Sequence, residues 1–423
     1  MKLPYINNTN PLYFQKFPLW NKVSREQWMD YKWQMKNTIT TGAHLQKIIP
    51  LSDEARDRID STLSKYKFAV TPYWASLIDE KNPECPFLLQ AVPTPSELSV
   101  AEVDLEDPLG EDVDSPVPGL THRYPDRVLV LITSICSLYC RFCTRRRLIL
   151  DKEGHLKRGQ IERILEYIGQ HREIRDVILS GGDAVVTGSI LESWLKGLRA
   201  IPHVEIIRIA SKVPCVMPMR ITDELARMIK KYQPVFFMTH FNHPFEITPE
   251  SAEACARLVD HGIPVMNQTV LLRKINSDPV IMKKLMQELL RIRVKPYYIY
   301  QCDLSEGLSH FRTPLGKGIE IIEYLRGHTS GLAVPEFVVD MPGGGGKVPV
   351  MPNYLISHSD NKSILRNYEG LIGSYPEPEE HDCHCSTSES VANNTYDDSS
   401  GVSHLFGDSQ AMLEPHEVTG RTK

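Results

Sequence analysis

No apolar run in this 423-residue chain approaches the roughly 20 residues that a membrane-spanning helix requires. The longest, such as Val128–Ile132, end after about one turn of helix, and residues 1–19 lack the apolar core of a signal peptide. Positive charge is also missing: 48 Lys and Arg against 53 Asp and Glu leave a net charge of −5, too little basic surface for a nucleic-acid partner. Cysteine is scarce and odd in number, nine in all, which excludes a disulfide scaffold in a chain this long. These absences predict a cytosolic protein that holds neither membrane nor nucleic acid. What cysteine there is clusters: five of the nine lie in two tight groups, 136–143 and 383–385, a pattern that favours metal or cluster chemistry in a reducing compartment.

Three regions differ in pattern. Residues 1–100 read as helical segments joined by loops, with Ser24–Lys36 and Ser52–Lys67 as the clearest. Seven acidic residues follow between Glu102 and Asp114, then Ser115-Pro-Val-Pro-Gly119, which neither strand nor helix tolerates. That acidic stretch reads equally as a solvated linker or as a functional element. Within residues 101–378, short apolar runs alternate with amphipathic helices: Val128–Thr133, Val177–Ser180, Val204–Ile209, Val235–Thr239, Pro264–Leu271 and Pro296–Tyr300, with helices such as Ile161–Gln170, Thr222–Lys231 and Pro279–Arg291 between them. Runs apolar on both faces predict strands covered on both sides, hence an α/β fold with a parallel sheet or a partial (βα)6-type barrel. A further run, Ala333–Asp340, leads into Met-Pro-Gly-Gly-Gly-Gly-Lys347. Residues 379–423 carry nine acidic and two basic residues and predict a flexible acidic tail.

The strongest chemical signal is Cys136-Ser-Leu-Tyr-Cys140-Arg-Phe-Cys143, directly after the first apolar run. An iron–sulfur cube normally takes four thiolates, so three leave one iron open to a chelating ligand. Structural zinc wants four ligands, and no fourth cysteine or histidine lies near in sequence. This CxxxCxxC resembles the hallmark of the radical S-adenosylmethionine superfamily. The resemblance implies a [4Fe-4S] cluster on Cys136, Cys140 and Cys143, with S-adenosylmethionine on the open iron. It also implies that Gly181, Gly182 and Asp183, after the second run, and Gln268, late in the fifth, contact S-adenosylmethionine, with Phe142 on the adenine side. His240, after the fourth run, reads equally as a site residue or a satisfied structural histidine.

The second signal is Pro342-Gly-Gly-Gly-Gly-Lys347, which is no Walker A loop, because Met341 and Val348 stand where that motif needs glycine and Ser or Thr. A glycine hinge carrying one lysine suits an amine that must reach a cofactor aldehyde and later swing away. Taken with the cysteine motif, Ser115–Arg127, Cys136–Arg147, Thr239–His243, Tyr297–Thr313 and Val338–Tyr354, the hinge closely resembles the lysine 2,3-aminomutase family across residues 15–380. That resemblance implies an isomerase that interconverts L-lysine and L-β-lysine by radical migration of the amino group. Lys347 would carry pyridoxal phosphate, and Arg123 and Arg127 would belong to its pocket. Arg145 would take the substrate α-carboxylate, and Asp303 and Asp340 its ε-ammonium. Relatives acting on glutamate have lysine and asparagine in place of those aspartates, as repulsion between carboxylates demands.

Independently of the resemblance, Cys136, Gly181, Ser211, His240, Gln268 and Asp303 all fall at or just beyond the ends of successive runs, and in an α/β barrel those ends share one active-site face. The family's C-terminal zinc motif is incomplete: Cys383 and Cys385 are present, but Ser388 and Asp278 occupy the remaining thiol positions, which leaves zinc open, with His381 and His384 as substitutes. Cys85, Cys215, Cys255 and Cys302 read as buried small hydrophobes. A flavodoxin or ferredoxin electron donor and a homo-oligomer follow from the resemblance alone. An aminomutase for another amino acid or a protein lysine, and a non-catalytic iron–sulfur scaffold, remain the alternatives.

Overall fold

The computed structural model describes residues 10–150, 154–359 and 361–378. The acidic tail with Cys383 and Cys385 lies outside them.

Among the described residues, nine strands form one sheet in sequence order: β1 (Leu120–Tyr124), β2 (Arg127–Thr133), β3 (Asp176–Gly181), β4 (Ile206–Ala210), β5 (Val235–Thr239), β6 (Val265–Leu271), β7 (Lys295–Gln301), β8 (Glu336–Met341) and β9 (Gly346–Pro349). From β2 to β8 every neighbouring pair is parallel, so the six expected runs are joined by a seventh from Ala333–Asp340. The edge strands β1 and β9 are antiparallel to their neighbours. These edges approach each other: the Tyr124 hydroxyl on β1 accepts from the Lys347 amide on β9 at 2.9 Å. The sheet is thus a nearly closed barrel. Along the strands one set of residues, including Val130, Ile132, Leu179, Ile207, Phe237 and Ile299, joins helix residues such as Ile164, Trp194 and Leu285 in one apolar core, while the alternate set, including Ile178, Arg208, Gln268 and Tyr300, lines a cavity. A separate antiparallel sheet follows, of β10 (Leu355–His358), β11 (Lys362–Arg366) and β12 (Ile372–Pro376).

The helices begin where the sequence supplies caps. Asp278 accepts from the Val280 amide and Pro279 opens the helix Pro279–Arg291, so the position aligned with a zinc thiol in the family is here an N-cap. Ser24–Lys36 divides into Arg25–Trp28 and Tyr31–Lys36, because Asp30 accepts from the Lys32 amide and starts a second helix. The N-terminal helices lie under the cysteine loop. Tyr139 donates its amide to Ala69 O at 3.1 Å and Arg141 to Gln90 O at 2.9 Å.

The acidic stretch is an ordered strap, and the linker reading is set aside. Leu105 donates to Leu304 O at 2.7 Å and accepts from the Glu306 amide at 3.2 Å, while Asp104 pairs with Arg312. Charge pairing across the fold turns a stretch that looks solvated in sequence into part of the barrel rim.

Candidate active site

Every residue singled out for cluster, S-adenosylmethionine, pyridoxal phosphate or substrate lines one cavity of about 560 Å³ at the C-terminal ends of the parallel strands. The loops after β2, β3 and β7 carry the three cysteines, Arg145, Gly182, Asp183 and Asp303 to it, whereas Gln268, Asp340 and Lys347 lie on β6, β8 and β9, and Arg123 and Arg127 on β1 and the first position of β2.

Cys136, Cys140 and Cys143 occupy the loop after β2. Burial pushes the Cys140 thiol up to about 12 and raises that of Cys143 as well. Such thiols stay protonated until a cation set against them displaces the proton, as iron ligation would. Among the described residues, no three His, Cys, Asp or Glu side chains converge on a single ion. A cube takes one thiolate at each of three separate corners and needs no such convergence. Cys302 reaches the same wall but packs with Phe142, Leu272, Leu308 and Phe311. Cys85, Cys215 and Cys255 are buried too, but the Cys215 thiol donates to Glu246 Oε2 at 2.9 Å and so is more than a small hydrophobe. The donor set of the loop therefore fits a three-thiolate cluster.

The glycines after β3 are required by close backbone contact with this loop. A Cβ on Gly181, whose φ is +124°, would lie 2.1 Å from Thr133 O, and one on Gly182 would lie 2.3 Å from Ile135 O. Asp183 is fully engaged within the protein. Its carboxylate accepts from Ser211 Oγ at 2.6 Å and from the Val185 and Lys212 amides at 3.2 Å each, and burial lifts it to about 6. Gln268 donates to the Tyr300 hydroxyl at 2.8 Å. His240 is held neutral, at about 4, chiefly by burial and secondly by Lys212. The buried Lys212 donates to His240 O at 2.8 Å and pairs with Glu246 at 3.2 Å.

The opposite wall carries Lys347 on β9. Gly343, Gly344 and Gly346 all have positive φ, +76°, +87° and +83°, a conformation that side-chain-bearing residues rarely adopt. Lys347 Nζ donates to Asp340 Oδ1 at 3.0 Å and stands 5.4 Å from the Tyr300 ring centre. Asp303 stands half-buried beside this pair. Burial first, and the neighbouring Asp340 second, push it up to about 7. Arg123 donates to Asp114 at 2.7 Å and to Leu109 O. Arg127 is half-exposed and stacks 4.0 Å above the Tyr124 ring.

Of the arginine run 145–147, Arg145 and Arg146 line the cavity. Arg146 pairs with the wholly buried Glu97, and Arg147 with Asp107 and Asp112 at 3.1 and 2.9 Å. Arg145 is gripped by Glu111 of the strap. Burial opposes its charge, but Glu111 outweighs that and holds the guanidinium well above its ordinary value. Sequence reasoning missed Glu111, Tyr124, Tyr300 and Lys212. For Glu111 a signal existed in the acid-rich stretch, and for Tyr300 in its position at the end of a strand run.

The family model described as Radical SAM superfamily matches residues 130–285, and that described as Lysine-2,3-aminomutase matches residues 322–423. An L-lysine 2,3-aminomutase of Acetoanaerobium sticklandii is 55% identical over 401 residues, 95% of this chain and 97% of that one. One from Fusobacterium nucleatum is 56% identical over 85% of each chain. A glutamate 2,3-aminomutase of Clostridioides difficile is 45% identical over 82% of this chain and 83% of its own. With more than half its residues shared along nearly the whole length of such a relative, and with both cysteine loop and glycine hinge on one cavity, the chain belongs to the lysine 2,3-aminomutase family of the radical SAM superfamily.

Proposed function

We propose that the protein is an isomerase that interconverts L-lysine and L-β-lysine, with a [4Fe-4S] cluster, S-adenosylmethionine and pyridoxal phosphate as cofactors. The observation that carries the choice of lysine is the charge layout of one cavity: the cation Arg145 and the two carboxylates Asp303 and Asp340 line it together. A zwitterion with a distal ammonium needs that set, since a charged end group in a water-poor cavity must meet an opposite charge. A glutamate side chain would meet two like charges there.

Cys136, Cys140 and Cys143 hold the cluster, and Gly181, Gly182 and Gln268 line the S-adenosylmethionine side. The carboxylate of Asp183 serves by fixing Ser211 and the Lys212 amide. Arg123 and Arg127 would hold the phosphate of pyridoxal phosphate, and the Lys347 amine would be its attachment point. When bound, the cluster with S-adenosylmethionine supplies a carbon radical, and pyridoxal phosphate supplies a π-system across which the amino nitrogen migrates. The chain's own residues orient the substrate by its two charged ends and keep water from the radical. The Lys347 ammonium, paired with Asp340, must yield its proton before its nitrogen is a nucleophile, and Asp340 is the group in hydrogen-bond reach to receive it.

Four buried free cysteines outside the motif support a reducing, cytosolic setting, and no helix among the described residues is long and apolar enough to cross a membrane. We assign a flavodoxin or ferredoxin as electron donor and a homo-oligomeric assembly on the strength of the family. The test is an anaerobic product assay with reconstituted protein and either lysine or glutamate as sole amino acid. β-Lysine is the expected product, and faster turnover of glutamate overturns the reading.

A further inference from the structure

We propose that Glu111 is a positioning residue for Arg145, clamping one edge of its guanidinium and leaving the other edge for the α-carboxylate of the amino-acid substrate. The inference rests on the reading of Arg145 as the carboxylate-binding residue. Glu111 is 7% exposed and lines the same cavity. Both its oxygens accept from Arg145 Nε at 3.0 Å, and Oε1 also accepts from Nη2 at 2.6 Å. A guanidinium has five N–H donors in a planar fork. Glu111 takes the Nε–H and one Nη2 hydrogen, which leaves both Nη1 hydrogens and one on Nη2. Those three suffice for a second bidentate carboxylate, so substrate can dock without displacing Glu111.

The clamp is itself held. Asp107 accepts from the Asp112 amide at 3.0 Å, the two carboxylates grip Arg147, and Leu109 O accepts from Arg123. Glu111 therefore sits in a strap tied down on either side. A long arginine side chain fixed in advance loses little rotamer freedom when substrate arrives. The same pair keeps a half-buried guanidinium from standing uncompensated while the cavity awaits substrate. Glu111 also joins two catalytic loops. Arg145 follows the cluster cysteines, and a Cβ on Gly110, beside Glu111, would lie 3.2 Å from Gly344 of the lysine hinge.

The test is a double-variant cycle on holoenzyme, reading KM and kcat with lysine, or with whichever amino acid the wild type turns over, since each carries the same α-carboxylate. Glu111→Ala frees the arginine and should raise KM about tenfold or more, while Glu111→Gln, which keeps an acceptor oxygen and the shape, should stay within about threefold of wild type. In an Arg145→Lys background, which lacks the fork, Glu111→Ala should change KM by less than about twofold. Iron content and the borohydride-trapped pyridoxyl label on Lys347 should be unchanged in Glu111→Gln. A lowered KM in Glu111→Gln would mean that Glu111 competes with substrate for Arg145 and overturns the proposal. Additive losses with Arg145→Lys overturn it as well, as does loss of iron or label in Glu111→Gln. An unimpaired Arg145→Lys variant would instead overturn the reading of Arg145 on which the proposal stands.

Discussion

Asp303 is the residue whose ionisation matters most to the substrate end of the cavity. Burial first, and Asp340 second, raise its carboxyl to about 7, above the usual carboxylate range. The sign of the linkage follows. A carboxyl raised on folding adds stability below its unfolded pKa, and that contribution is lost as pH rises toward about 7, where the group ionises. Asp303→Asn should therefore melt above wild type by a margin that grows between about pH 4 and about pH 7 and then levels off when no substrate is present. Binding runs the other way, because the lysine ammonium needs the ionised form. kcat/KM should fall on the acid side of about 7 in the wild type, and that limb should vanish from Asp303→Asn along with a loss on the order of 30-fold in productive binding. A flat wild-type profile through this range, with melting margins independent of pH, would refute the assignment. The cysteine loop and the hinge lysine are legible in the sequence because their chemistry is carried by residue type and spacing, whereas Asp303 and Asp340 are singled out through the family resemblance. Glu111 is not legible, because a carboxylate among six others shows its partner only once Arg145 is brought to it through the fold.

Elements differ in how far their sequence betrays them, and the difference is one of burial. The parallel strands announced themselves through apolar runs such as Val128–Thr133, whose alternate residues are fully buried against the core while those between them are partly buried. β1 reads Leu-Thr-His-Arg-Tyr with a single buried residue, and all four residues of β10 are exposed, so neither presents a run to find. β9 was hidden for another reason, since its residues belong to the glycine hinge and its pairing with β8 is set by chain reversal at Gly343–Gly344. That reversal fixes the aim of Lys347. Gly346 has φ +83°, and a Cβ there would lie 3.0 Å from the Tyr124 hydroxyl that receives the Lys347 amide. Gly346→Ala should thus strain the strand and push it off β1, lowering the pyridoxyl label recovered on Lys347 after borohydride reduction to a small fraction of wild type. The iron content of the cysteine loop, across the cavity, should hold. Full labelling of Lys347 in this variant would show that the hinge tolerates a side chain and that Tyr124 does not set its position.

Across the whole molecule, the N-terminal helices and the barrel meet through charge at the foot of the cluster loop. Glu97, wholly buried, accepts from Arg141 Nε at 3.0 and 3.2 Å and from its Nη2 at 2.6 Å, and it pairs with Arg146 as well. Arg141 also donates to Lys67 O at 2.7 Å, so one guanidinium ties the cysteine loop to two separate parts of the N-terminal region. Arg141 lies between Cys140 and Phe142, and a shift of its backbone moves the thiols directly. One carboxylate therefore faces two cations, and removing it leaves both without a counter-charge, Arg141 with Lys67 O and Arg146 with the Tyr66 ring 3.7 Å away. Breaking a buried pair from one side costs about 3 to 5 kcal/mol, a large part of the 5 to 15 kcal/mol by which a typical domain is stable. Glu97→Ala should lower the unfolding midpoint in urea sharply and reduce the iron retained after anaerobic reconstitution. Glu97→Gln should recover part of the packing but little of the charge, and so should fall between the two. The triple variant Glu97→Ala with Arg141→Met and Arg146→Met removes all three charges together, and a hydrophobic replacement of a buried ion triad can be neutral or better for stability. Its unfolding midpoint should therefore rise back above that of Glu97→Ala alone. If Glu97→Ala unfolds like wild type and keeps its iron, the N-terminal region is not what holds the cysteine loop in place, and the apolar contacts beneath the barrel must do so instead.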